Sequence, residues 1–246
     1  MGETILAGAP ARGGLADLTV WRIDLRRPAD WVETMAARVL GGDEREEAEG
    51  AAPDVRRRRL VARIALRLAL AERLGRRPAE LALARGARGK PELAGADGVH
   101  FSVSRCGELC LIAVTSLGPV GVDVERVAPR PELDAIAARR FASEEIAALE
   151  RLDATGRLVG FYRCWTRKEA YLKATADGLT ALDAVTVTVG ERPEILAVRG
   201  SAPRPWTLRG VHAGAGVVGA VAVAGAHALP EAPIEAAPHR LEVACS

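Results

Sequence analysis

Phe161-Tyr-Arg-Cys-Trp165-Thr-Arg-Lys168-Glu169-Ala-Tyr-Leu-Lys173-Ala-Thr-Ala-Asp-Gly178-Leu179 contains no proline and closes on Gly178. It reads as one long helix, over 155–175, with a stop signal after it. Phe161, Trp165, Glu169 and Lys173 stand four apart, which stacks them along one face. A stripe that begins aromatic and ends in a carboxylate and an ammonium is not an ordinary core stripe. Lysine is scarce elsewhere: of 34 Lys plus Arg, only Lys90, Lys168 and Lys173 are lysines. A chain so biased to arginine has little use for a lysine kept for surface charge alone. The plain alternative is an exposed i,i+4 Glu–Lys pair worth ~0.3 kcal/mol.

Outward from this helix the chain alternates. Thr19–Leu25 puts Trp21, Ile23 and Leu25 on one face and reads as a strand. Further strands are expected over 81–85, 99–104, 109–116, 120–125, 185–189, 195–199, 206–211 and 217–223. Asp30, Asp54 and Ser143 are expected to cap helices over 30–40, 54–75 and 143–152, the second ending on Gly75. The order strand, helices, strands occurs twice. It implies an α+β fold of two similar lobes related by a pseudo-two-fold, each a small sheet packed with helices. The lobes are 1–116, opening with a loose Gly/Ala-rich stretch, and 117–226, carrying the long helix. Residues 227–246, rich in proline and alanine, lack periodicity and are expected to form a disordered tail.

Composition excludes several classes. With 49% hydrophobic and 27% charged residues the chain is that of a soluble globular protein. Four cysteines without framework spacing point to reduced thiols in the cytoplasm. No apolar run approaches the length of a membrane span, and no signal-peptide pattern opens the chain. Arg56–Arg59, with Arg63 and Arg67, forms a basic stripe, read as a solvated face or an anion site. A nucleic-acid-binding module built on Arg56–Arg67 is one alternative reading. A net charge of +2 and only 4% aromatic residues oppose it, so no nucleic-acid partner is expected.

In Gly121-Val-Asp123-Val-Glu125 the two carboxylates project from one face of a strand, on the order of 7 Å apart. Like charges so placed repel, and a hard divalent cation relieves them. Mg²⁺ takes few protein carboxylates and completes its shell with water and phosphate oxygens. Glu169 is the natural third ligand, and Lys173, one turn on, faces the same phosphates. A surface salt-bridge cluster with nearby arginines is the other reading of the pair. A Mg²⁺-dependent phosphodiesterase or nuclease would use the same carboxylates with water as nucleophile.

Gly121–Glu125, followed by Trp165-Thr-Arg-Lys168-Glu169-Ala-Tyr-Leu-Lys173, resembles the paired signature of the 4′-phosphopantetheinyl transferases. Gly89-Lys90-Pro91, Phe101-Ser-Val-Ser104-Arg105 and Phe141-Ala-Ser-Glu-Glu145 resemble the motifs that accompany it, in order, between about residues 55 and 225. The length is similar to that of the monomeric Sfp-type branch. The resemblance implies transfer of 4′-phosphopantetheine from coenzyme A to a serine of an acyl or peptidyl carrier protein, releasing adenosine 3′,5′-bisphosphate. It implies Asp123, Glu125 and Glu169 as Mg²⁺ ligands, Glu169 also as the base, and Lys173 on the phosphates. It implies Gly89, Lys90 and Pro91 along the adenine, and Ser104 and Arg105 toward the 3′-phosphate, with Arg59 the arginine of 45–63 chosen to join them. The chain departs from the family pattern at Ser102 and Arg105, where asparagine and histidine are frequent. Ala176 replaces a usual glycine, and Asp43, Glu44, Glu46 and Glu47 stand where basic residues are common.

Overall fold

The computed structural model describes residues 17–85, 91–95, 98–176, 179–200, 205–239 and 241. The first half opens with β1 (Leu18–Asp24), then α1 (Ala29–Val39), the short α2 (Gly42–Glu46) and α3 (Pro53–Leu74). Next come a small hairpin, β2 (Leu83–Arg85) with β3 (Pro91–Leu93), and a larger one, β4 (His100–Cys106) with β5 (Leu109–Thr115). The second half repeats this order: β6 (Val120–Arg126), α4 (Leu133–Arg140), α5 (Ser143–Glu150) and α6 (Ala154–Thr175). The hairpin β7 (Val185–Val187) with β8 (Ile195–Val198) follows, then β9 (Trp206–His212) with β10 (Val217–Ala224). In each half the opening strand pairs antiparallel with the last strand of the larger hairpin, β1 with β5 and β6 with β10. The long helices α3 and α6 are each 22 residues. The fold class is α+β, as the alternation implied.

Strand periodicity sets the packing. Ile23, Cys110, Ile112 and Val114 face α3, whose Leu60, Ile64 and Leu68 complete one core. The opposite face of that sheet, with Val20, Leu111 and Ala113, packs on Val122, Val124, Val221 and Val223 of the second. Each valine, leucine or isoleucine so buried contributes ~1.5–3 kcal/mol. The two sheets therefore share a core, and β4 and β6, edge strands of separate sheets, run side by side.

Several expectations are corrected. Asp30, Asp54 and Ser143 are not caps but lie inside the first turns of their helices, which Pro28, Ala52 and Ala142 precede. A proline at the first position of α3 makes its missing N–H harmless there. Helix α6 stops at Thr175, and its cap is Ala176 at φ 59°, a left-handed conformation that costs a non-glycine residue ~1–2 kcal/mol. Gly178, read as the stop, lies outside the described residues. The stretch from His227, expected to be disordered, forms β11 (Ile234–Glu235) and β12 (Ala237–Pro238). β11 pairs parallel with β9 and β12 pairs parallel with β1, so this arm joins the edges of both sheets. No helix among the described residues is long and apolar enough to cross a membrane.

Candidate active site

Gly121 decides where α6 lies. A Cβ there would overlap the carbonyl oxygen of Ala170 and stand 2.6 Å from the nitrogen of Ala174, so only glycine lets the helix backbone rest on β6. This close approach carries Glu169 and Lys173 to Asp123. Lys173 Nζ donates to Asp123 Oδ1 at 2.7 Å, to Ser104 Oγ at 3.0 Å and to the carbonyl of Val122 at 3.3 Å. The ammonium thus pairs with Asp123 across the strand, and its side chain is not the exposed one that the plain alternative required. Ser104 Oγ completes the triangle by donating to Asp123 Oδ1 at 2.7 Å.

The carboxylates are strained electrostatically. Asp123 and Glu169 are each 4% exposed. Burial, reinforced by Asp123 and Glu125 and only partly offset by Lys173, pushes the Glu169 carboxyl up to about 7. Burial first and Asp123 second also raise Glu125. Asp123 Oδ2 is buried and accepts no hydrogen bond. A buried carboxylate oxygen left without a partner costs ~1–3 kcal/mol or more, so it is a place for a ligand. The oxygen-only donor set of Asp123, Glu125 and Glu169 fits a hard divalent cation in its chemistry. Among the described residues, however, no group of three His, Cys, Asp or Glu side chains is already gathered as a metal cage.

On the other face of β4, Arg105 and Val103 line a cleft of about 430 Å³ with Arg59, Arg63, Leu66 and Pro91. Period-two alternation separates the neighbours Ser104 and Arg105: the first turns toward Asp123, the second into the cleft. Neither Arg59 nor Arg105 has an ion pair among the described residues. Gly89 and Lys90 lie outside the described residues.

The residues 119–224 match the sequence profile of the 4′-phosphopantetheinyl transferase superfamily. Over 213 residues the chain is 34% identical to the 4′-phosphopantetheinyl transferase HetI of Nostoc sp., spanning 85% of this chain and 88% of that one. The chain belongs to this superfamily. It is also 32% identical to a phosphopantetheinyl transferase of Thraustochytrium sp., over 74% of this chain and 71% of the other. To the 4′-phosphopantetheinyl transferase of Bacillus subtilis it is 30% identical, over 53% of this chain and 57% of that one.

In this 4′-phosphopantetheinyl transferase most of the arginine stripe is paired with carboxylates. Arg56 pairs with Glu33, and Arg57 and Arg58 pair with Glu108. Arg63 and Arg67 pair with Glu44, the acidic stretch 43–47 having folded as α2 beside them. Arg59 lines the cleft beside Arg105. Lys168, marked by the scarcity of lysine, is structural. It is fully buried, 2.7 Å from Glu145, and donates to the carbonyls of Leu182 and Val185. Glu145 in turn accepts from the backbone N–H of Ala142 and of Val187. The Phe-x-x-x-Glu stretch was the signal that could have shown this, since its glutamate is Lys168's partner.

Proposed function

We propose that the enzyme transfers 4′-phosphopantetheine from coenzyme A to a serine of an acyl or peptidyl carrier protein, with Mg²⁺, as a cytoplasmic monomer. The observation that carries this reading is the buried, unpartnered Asp123 Oδ2, on a carboxylate that pairs with Lys173 and raises both Glu125 and Glu169. In the step, the serine oxygen bonds to the phosphorus that bears the pantetheine arm. The bridging P–O bond of the pyrophosphate breaks, and its electron pair leaves with adenosine 3′,5′-bisphosphate. Mg²⁺ held by Asp123, Glu125 and Glu169 would neutralise the pyrophosphate and orient it. Glu169, the carboxylate that α6 supplies, takes the serine proton, directly or through water. Lys173, its side chain 30% exposed and anchored on Asp123, sets its positive charge beside the leaving phosphate. Arg59 and Arg105, across β4, take the 3′-phosphate, and Pro91 forms the wall beside them. The test is the mass of purified carrier domains, from fatty acid, polyketide and peptide synthases, after incubation with coenzyme A and Mg²⁺. The reading expects gain of one phosphopantetheine, lost when metal is chelated; no gain on any carrier would overturn it.

A further inference from the structure

Strands β4 and β6 run side by side but belong to different sheets, and no backbone ladder joins them among the described residues. A strand edge without ladder partners leaves N–H groups to satisfy. Here alternate side chains of β4 meet that need. Ser102 Oγ accepts from the Val122 N–H at 3.1 Å, and Cys106 Sγ accepts from the Arg126 N–H at 3.2 Å. Between them Ser104 Oγ donates to Asp123 Oδ1, and the Cys106 thiol also reaches Glu125 Oε2 at 3.7 Å. All three side chains stand on the same face as Leu111 and Ala113, the face shared with the second sheet.

We propose that Ser102, Ser104 and Cys106 are positioning residues: Ser102 seats β6 on β4, while Ser104 and Cys106 aim Asp123 and Glu125 into the site. The row divides its work between strand and side chain. Ser102 touches only backbone of β6. Ser104 holds one oxygen of Asp123, fixing the orphaned oxygen toward the site, and links it to Lys173. Cys106 grips β6 one residue past Glu125 and contacts the carboxylate itself. Groups that orient a metal-binding carboxylate act on affinity for the ion, commonly about tenfold or more. This inference rests on the reading of Asp123, Glu125 and Glu169 as cation ligands.

The experiment measures Mn²⁺ binding to the full chain by electron paramagnetic resonance, beside urea denaturation. The proteins are the parent, Glu125→Gln, Ser102→Ala, Ser104→Ala, Cys106→Ala and Cys106→Ser. Ser104→Ala and Cys106→Ala should each weaken Mn²⁺ about tenfold. Ser102→Ala should lower stability with unchanged Mn²⁺ affinity, and Cys106→Ser, which keeps a donor and an acceptor, should restore most of the binding. Parent-like affinity in both Ser104→Ala and Cys106→Ala, with Glu125→Gln impaired, would overturn the positioning role alone. Equal loss in Ser102→Ala, tracking stability, would reduce the row to a structural seam. Unaltered Mn²⁺ binding in Glu125→Gln would instead overturn the cation reading beneath it.

Discussion

Glu169 sits where two demands meet, since the cation ligand we propose must ionise and a buried carboxyl resists doing so. Its carboxyl is raised from 4.5 to about 7, first by burial and then by Asp123. Between those values the folded protein holds a proton that the unfolded chain has released. The resulting stability is complete below pH 4.5 and is lost as pH rises through about 7. Its full size is ~3 kcal/mol. Glu169→Gln should therefore flatten this fall, leaving the metal-free variant more stable than the parent at pH 8. Urea denaturation in EDTA from pH 5 to 8.5 checks this, and parallel curves would show that Glu169 does not titrate there. Lys173→Arg tests the neighbour. A planar guanidinium cannot fill the place of an ammonium bonded to Asp123, Ser104 and Val122 at once. Turnover of carrier protein should fall by tens-fold, ~2 kcal/mol in the transition state, with the fold retained. At this scale sequence spacing put Asp123 and Glu125 on one strand face and Glu169 and Lys173 on one helix face. It could not show that Lys173 would cross to Asp123, because a pairing between elements depends on how closely they approach.

That approach is a property of the element pair β6 and α6. Its determinant is one missing methyl group, at Gly121. Gly121→Ala should push α6 off the strand and cost about 3 kcal/mol, at the upper end of overpacking because the obstacle is helix backbone. Transfer by the fraction that still folds should be nearly abolished, since Glu169 and Lys173 move with the helix. Denaturation curves and single-turnover rates on the same preparation measure both, and a parent-like rate would break the link between the close approach and the site. Elements were the most legible level of the sequence. Their apolar runs and bounding turns located β1, β4, β5, β6, β9 and β10 to within a few residues, although β1, β5 and β10 bury both faces. α4 and β3 escaped: the first buries only Ala137 and the second is three residues long, so neither writes a period into the chain. Lys168 was marked by the sequence without its role being legible. Its scarcity marked it as exceptional, but a buried ion pair with Glu145 that ties α5, α6 and β7 is as demanding of lysine as catalysis is.

For the whole molecule the deciding feature is the arm that follows β10. Composition gave it no order of its own, and it has none locally; its strands are two residues each and exist only through pairing with β9 and β1. Ala236, between them, is buried in the core shared by the sheets. A chain ending at Ala226 should therefore lose coupling between the halves as well as stability. The full chain should unfold in one transition. The truncated one should show separate midpoints for Trp21, in the first half, and Trp206, in the second, followed by single-tryptophan fluorescence. A single shared midpoint after truncation would show that the common core alone couples the sheets.

The arm also sets an order of events during synthesis. Strand β1 leaves the ribosome long before residues 237 and 238, which cover its outer edge. Until residues 237 and 238 emerge, the first sheet presents an open strand edge able to pair with a neighbouring nascent chain. The interval is long, because β1 and β12 are separated by nearly the entire sequence. A half made early is finished late, and the nascent chain has a built-in need for shielding over that interval.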